Sequence, residues 1–210
     1  MTRPRAQPTL VLASASPRRA ELLSRLGLEF QVFPADIPEV LLPRETPETH
    51  AERLSREKAR KVSNTFGEAL VLAGDTVVVL DEQVLGKPGD IAEAVAMLNA
   101  LAGRSHTVVS GLAIAFPGGG ILSGYMSTEV TFRSFDKSMA RQYAETGEPM
   151  DKAGAYGIQG LGSALVEGIR GDYHTVMGLP LPLLLDLLRE GGWRYEFGNL
   201  VREDEAKDGA

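Results

Sequence analysis

The sequence predicts an α/β fold built on a mixed sheet flanked by helices. Three observations carry that prediction. The apolar run "TLVLAS" (9–14) stops directly before a helix start in "SPRR", giving a strand–turn–helix opening. The stretch "ALVLAGDTVVVLDEQVLGKP" (69–88) reads as a β-hairpin. The stretch "GDIAEAVAMLNALAG" (89–103) is an amphipathic helix between strand candidates. Hairpins interleaved with helices argue for a mixed sheet and against a purely parallel one.

The elements follow in order. Residues 1–8 and the polar ending 201–210 read as flexible termini, leaving 9–200 as one domain. Ser16 reads as an N-cap with Pro17 in the first turn, Leu22, Leu23 and Leu26 give the apolar face, and Gly27 is the stop. "LEFQVFPADIPEV" suggests a strand and then a proline-bounded loop holding Asp36 and Glu39. "TPETHAERLSREKARKVSNTF" reads as a helix capped by Thr46 with Pro47 at its start. In the helix of 89–103, Asp90 and Glu93 mimic a capping box, Ile91, Ala94, Val95, Leu98 and Leu101 line one face, and Gly103 ends it. Strands follow near "HTVVSGLAIAF" and "GYMSTEVTFRSF", then a short helix capped by Asp136, a glycine-rich loop "DKAGAYGIQGLGS", a strand at "ALVEGIRG" and a helix from about Pro182.

Composition bounds the function. A chain of 210 residues can bury one sizeable core, and 43% hydrophobic with 24% charged residues is ordinary for a globular protein. A net charge of −6 disfavours a general nucleic-acid or anionic-membrane binder, yet leaves room for a local anion site. The absence of cysteine excludes disulfides, thiolate metal sites and a cysteine nucleophile. No apolar run reaches about 18 residues, and the N-terminus lacks the pattern of a signal peptide, so a cytoplasmic enzyme is expected. His50, His106 and His174 have no ligand spacing for zinc.

Two places could carry chemistry. With Asp81-Glu82 as the hairpin turn, Leu80 faces Gln83 and Thr76 faces Lys87, with Asp75 beside that pair. One reading is a salt bridge closing the hairpin. The other is a carboxylate that holds a metal or activates water, with a lysine for phosphate charge. The second place is the first helix, where Arg18 and Arg19 sit in the first turn. The macrodipole there is positive, so each exposed cation loses roughly 0.3–1 kcal/mol. Either both side chains swing outward to surface carboxylates, or an anion docked at the helix N-terminus makes them ligands. The basic stretch "SREKARK" is a surface helix face by default, with Lys58 the residue that could point inward.

Five segments, "LASASPRRAELL", "REKARKV", "GDTVVVLDEQVLGKP", "DKAGAYGIQGLG" and "GLPL", stand in one order between about residues 10 and 188. Together they resemble the Maf family of nucleoside triphosphate pyrophosphatases. The resemblance implies an elongated, two-lobed α/β fold with a cleft, of inosine triphosphatase-like architecture, and often a homodimer. It implies hydrolysis of a nucleoside triphosphate between the α and β phosphates with Mg²⁺ or Mn²⁺. By position it makes Asp75 the acid-base residue and aligns Arg19, Glu39, Lys58 and Lys87 with other polar active-site positions. Ser14, Ser16 and Arg19 are the expected phosphate contacts. Glu39 and Asp75 are the expected metal ligands, in keeping with the preference of Mg²⁺ for a few carboxylates plus substrate phosphate. Arg18, Thr76 and Gln159 resemble the branch acting on dTTP and UTP, where 7-methyl-GTP enzymes carry tryptophan, glutamine and glutamate. A glutamine amide can both donate and accept toward a pyrimidine edge. One departure is Gly74 before Asp75, where alanine or serine is usual and where glycine is expected to loosen the strand. The alternative reading is a nucleotide-sensing regulator of cell division acting through a protein partner.

Overall fold

The computed structural model describes residues 8–203. The first half of the chain forms β1 (Leu10–Leu12), α1 (Pro17–Arg25), β2 (Gln31–Val32), α2 (Pro47–Ser63), β3 (Leu70–Leu80), β4 (Gln83–Leu85) and α3 (Ile91–Leu101). The second half forms β5 (Ser105–Ala115), β6 (Ile121–Phe132), α4 (Lys137–Glu145), β7 (Val166–Arg170), α5 (Tyr173–Met177), α6 (Leu181–Glu190), β8 (Trp193–Tyr195) and β9 (Leu200–Arg202). Short 3₁₀ turns fill the glycine-rich stretch between α4 and β7.

The sheet is mixed, as expected. Its order is β2-β1-β3-β5-β6-β7, with β4 also on β3. β1 pairs in parallel with β2 and β3, and the remaining pairs are antiparallel. β1 pairs with β3 over Leu70 to Leu72, whereas β4 pairs with it over Val78 to Leu80. Both lie opposite the long β5 ladder, which runs from Val71 to Val79. Residues 73–77 of that edge therefore have no strand partner among the described residues, and Asp75 and Thr76 lie in this gap.

Side-chain alternation along the strands assigns each residue to a face. On one face Leu70, Leu72, Leu112 and Ile114 join a core with α1 and α6, while Val78, Leu80, Val108 and Val130 join a second core with α3 and α4. Gly74, Thr76 and Ser110 separate the two, which makes two lobes and a cleft. The opposite face carries Val71, Ala73 and Val77 against α2, whose stripe of Ala51, Leu54, Ser55, Lys58, Ala59 and Val62 is buried. α2 approaches closely because Gly111 of β5 has no side chain: a Cβ there would lie 2.2 Å from the Ala51 carbonyl oxygen.

Local signals hold with informative exceptions. Thr46 caps α2 through a reciprocal box with Thr49, and Asp136 accepts from the Met139 amide at 2.9 Å. Asp90 caps α3, but Glu93 reaches the Gly89 amide at 2.7 Å, one residue earlier than a regular capping box. The α3 stripe meets the core only from Ala94 onward, so Ile91, at the first position, is 46% exposed. Ser16 occupies the N-cap of α1 but makes no side-chain cap bond, which corrects its expected capping role. The turn of the hairpin is Asp81-Glu82, both with positive φ, and Leu80 faces Gln83. Thr76 does not face Lys87 in a ladder, because pairing stops at Val78–Leu85. Beyond it the Gly86 carbonyl accepts from the Gly154 amide at 3.0 Å and Pro88 has no N–H, so the ladder ends there. Gly74 does not interrupt β3, which pairs with β5 on both sides of it. The expected flexible ends fall largely outside the described residues, at 1–7 and 204–210. Arg202, placed in the tail by composition, pairs with Trp193.

Candidate active site

The cleft between the lobes has a volume of about 280 Å³. Ser14, Ser16, Arg18, Arg19, Glu39, Lys58, Asp75, Thr76 and Lys87 all line it. The structure thus brings together nine positions drawn from α1, α2, the gap in β3 and three loops. Gln159 does not line it, although its neighbour Ile158 does.

Two carboxylates meet on one ammonium. Lys58 is buried on α2, and its Nζ lies 2.7 Å from Asp75 Oδ1 and 2.6 Å from Glu39 Oε1. The lysine of the basic helix therefore points inward, against the default surface reading. Asp75 is buried, while the Glu39 side chain is half exposed. The loop bearing Glu39 is tied to α2 by Arg53, whose Nη2 donates to the Val40 carbonyl at 3.0 Å and whose Nε donates to Glu45 at 2.6 Å. The bonds from Arg53 to Glu45 itself lead in holding the Glu45 carboxyl down at about 2.

The two arginines part company. Arg18 turns to the far lobe and donates to Asp151 Oδ2 at 3.3 Å. Arg19 turns inward, is buried, and uses all three nitrogens: Nε donates to the Gly178 carbonyl at 2.7 Å, Nη1 to Ser14 Oγ at 2.9 Å and Nη2 to Thr76 Oγ1 at 2.9 Å. Every one of these acceptors is neutral. Burial pushes the guanidinium pKa down, and the nearby Asp75 charge opposes that shift. Gly178 has φ +96°, a conformation suited to glycine, and a Cβ there would lie 3.0 Å from Thr76 Oγ1. Gly74 serves the same guanidinium, since a Cβ on it would lie 3.0 Å from Arg19 Nε.

The remaining polar groups face open space. Ser14 Oγ accepts from Arg19 and from the Ser16 amide at 3.2 Å, which leaves its own hydrogen to donate. Lys87 is exposed at the rim and has no hydrogen-bond or ion-pair partner among the described residues. The far wall is apolar at Val78, Val108, Tyr156 and Val176, beside the charged Asp151 and Lys152. Behind it the Tyr156 hydroxyl lies 2.7 Å from His106 Nε2, and burial lowers the His106 pKa to about 4.

Sequence reasoning missed Ser110, Asp151, Tyr156 and the Gly178 carbonyl. A signal existed for Ser110, a polar residue inside the apolar run "VVSGLAIA". Asp151 and Gly178 stood in matched segments with no role attached.

A family model described as Maf-like protein matches residues 9–191. The chain belongs to the Maf family. Relatives of this Maf chain include a dTTP/UTP pyrophosphatase of Moorella thermoacetica, 50% identical over 180 residues, which are 85% of this chain and 93% of the relative. A dTTP/UTP pyrophosphatase of Symbiobacterium thermophilum is 47% identical over 184 residues, 88% and 94% of the two chains. One from Thermococcus kodakarensis is 48% identical over 186 residues, 87% and 96%. Among solved structures, a dITP/XTP pyrophosphatase of Mycobacterium abscessus aligns with a TM-score of 0.43 at 19% identity, covering 87% of this chain and 95% of that one. The Ham1 protein of Staphylococcus aureus aligns at 0.44 and 13%, covering 87% and 97%. No helix among the described residues is long and apolar enough to cross a membrane.

Proposed function

We propose that this Maf protein hydrolyses dTTP and UTP to the nucleoside monophosphate and pyrophosphate. The observation that carries the reading is the pairing, in one cleft, of a buried arginine whose hydrogen-bond acceptors among the described residues are all neutral with two carboxylates converging on Lys58. The first suits a polyanion and the second suits activation of water. The printed activity of relatives 47–50% identical over most of the chain supports the choice of dTTP and UTP.

In this reading Arg19, Lys87, Ser14 and Ser16 bind the triphosphate. The amides of Arg18 and Arg19 open the first turn of α1 and add donors there. Lys58 holds Oδ1 of Asp75, which leaves Oδ2 to take a proton from water. The water oxygen bonds to the α-phosphorus, the α–β bridging bond breaks, and its electron pair leaves with pyrophosphate. Glu39 and Asp75 fit Mg²⁺ or Mn²⁺: both offer hard oxygens, and both reach one lysine nitrogen within 2.7 Å. A divalent ion held there would neutralise charge on the phosphates.

Arg18, Thr76 and Gln159 are the positions connected with base choice. The hydroxyl of Thr76 is spent on Arg19, so its influence runs through the placement of the triphosphate. A homodimer and a cytoplasmic setting complete the proposal. The test measures kcat/KM of the purified protein for dTTP, UTP and 7-methyl-GTP with Mg²⁺. Preference for the two pyrimidine nucleotides is expected, and preference for 7-methyl-GTP contradicts the branch.

A further inference from the structure

We propose that Ser110 is a positioning residue for Arg19, acting through Thr76. The inference rests on the pyrophosphatase reading only in taking Arg19 to face substrate phosphate. Ser110 is fully buried on β5, directly across the ladder from Thr76. Its Oγ lies 2.7 Å from the Thr175 carbonyl oxygen and 2.8 Å from Thr76 Oγ1.

The donor directions in this chain are forced. A carbonyl only accepts, so the single hydroxyl hydrogen of Ser110 goes to Thr175. Thr76 must then donate its own hydrogen to Ser110. A guanidinium only donates, so Arg19 Nη2 donates to the lone pair that Thr76 turns toward it. The order is Arg19 to Thr76 to Ser110 to the Thr175 carbonyl, and each bond polarises the next. Without Ser110 the Thr76 hydrogen has no such acceptor, and the hydroxyl is free to turn that hydrogen against Arg19.

The far end of the chain is itself fixed. Thr175 donates from its amide and its hydroxyl to Asp172 Oδ2 at 2.6 and 2.8 Å. Three residues on, the Gly178 carbonyl takes Arg19 Nε. Two edges of the guanidinium are thus referenced to one turn, 175–178, directly at Gly178 and through Thr76 and Ser110 at Thr175. Ser14 takes the third nitrogen. The plane of the arginine in the cleft is set by this clamp.

The test uses the full chain and inorganic pyrophosphate, a probe without a base, titrated by calorimetry beside dTTP turnover and thermal melting. Ser110→Ala is expected to weaken pyrophosphate binding about tenfold and to raise KM for dTTP by a similar factor, the scale of one hydrogen bond. Thr76→Val should do the same, and Thr76→Ser, which keeps the hydroxyl, should stay within about twofold of wild type. The double variant Ser110→Ala/Thr76→Val should bind no more weakly than Thr76→Val alone, because a broken chain cannot be broken twice. Independent structural effects would instead multiply to about a hundredfold. Wild-type affinity in folded Ser110→Ala, multiplicative loss in the double variant, or no pyrophosphate binding by the wild type each overturns the proposal. Should Ser110→Ala not fold, equal pyrophosphate affinity of Thr76→Val and Thr76→Ser overturns it. Release of orthophosphate from dTTP by the wild type refutes the pyrophosphatase reading instead and leaves the affinity comparison intact.

Discussion

Replacing Asp75 by asparagine removes one negative charge and almost no volume. The structure sets the size of both consequences. Removing one partner of a buried ion pair costs about 3–5 kcal/mol when it strands the other charge. Here Lys58 is not stranded, because Glu39 Oε1 remains 2.6 Å from its Nζ and the amide oxygen of asparagine still accepts a hydrogen bond. The expected loss of stability is therefore about 1 kcal/mol, the scale of one weakened bond. Turnover should respond far more strongly. An amide takes no proton from water at neutral pH, and loss of a general base lowers rates by about 10²–10⁴-fold. The assay combines kcat for dTTP, nucleotide affinity by calorimetry and a melting curve. Collapse of kcat with affinity and fold largely retained is the expected pattern. A folded Asp75→Asn protein turning over within about tenfold of wild type removes Asp75 from the proton-accepting role.

Three further outcomes follow from the geometry. Arg19→Lys keeps the charge but cannot present a planar fork to Gly178, Ser14 and Thr76, so KM for dTTP should rise about tenfold or more and the melting temperature should fall. Lys87→Ala removes a cation without a described partner, so stability should stay within about 0.5 kcal/mol while KM for dTTP rises about fivefold. His106 has its pKa lowered by burial to about 4 from 6.5, so the unfolded chain binds more protons between those values. Its contribution is complete above about pH 6.5 and is lost toward pH 4, by about 3 kcal/mol in all. Denaturant unfolding across that range should show a shallower pH dependence in His106→Gln.

Much of the fold was legible because local chemistry agreed with tertiary need. Thr46, Asp90 and Asp136 mark helix starts that the structure keeps, and the Asp81-Glu82 turn fixes the register of the hairpin. What stayed hidden was short or remote. α5 spans five residues, too few to display a helical period, and β8 and β9 span three each. The site divides in the same way. The misfit of two arginines against a helix dipole was readable, and it pointed to an anion. The inward turn of Arg19 was not readable in the helix itself and came only through the resemblance, because it depends on a carbonyl 159 residues away, at Gly178. Lys58 was legible as the residue of the basic stretch that could turn inward, but its burial requires Gly111 on another strand to admit α2.

The central claim is that the cleft splits a nucleoside triphosphate between its α and β phosphates. Phosphorus NMR of dTTP incubated with the purified protein and Mg²⁺ tests it directly. Equimolar dTMP and pyrophosphate are predicted. Accumulation of dTDP and orthophosphate, or an unchanged triphosphate spectrum, would contradict it.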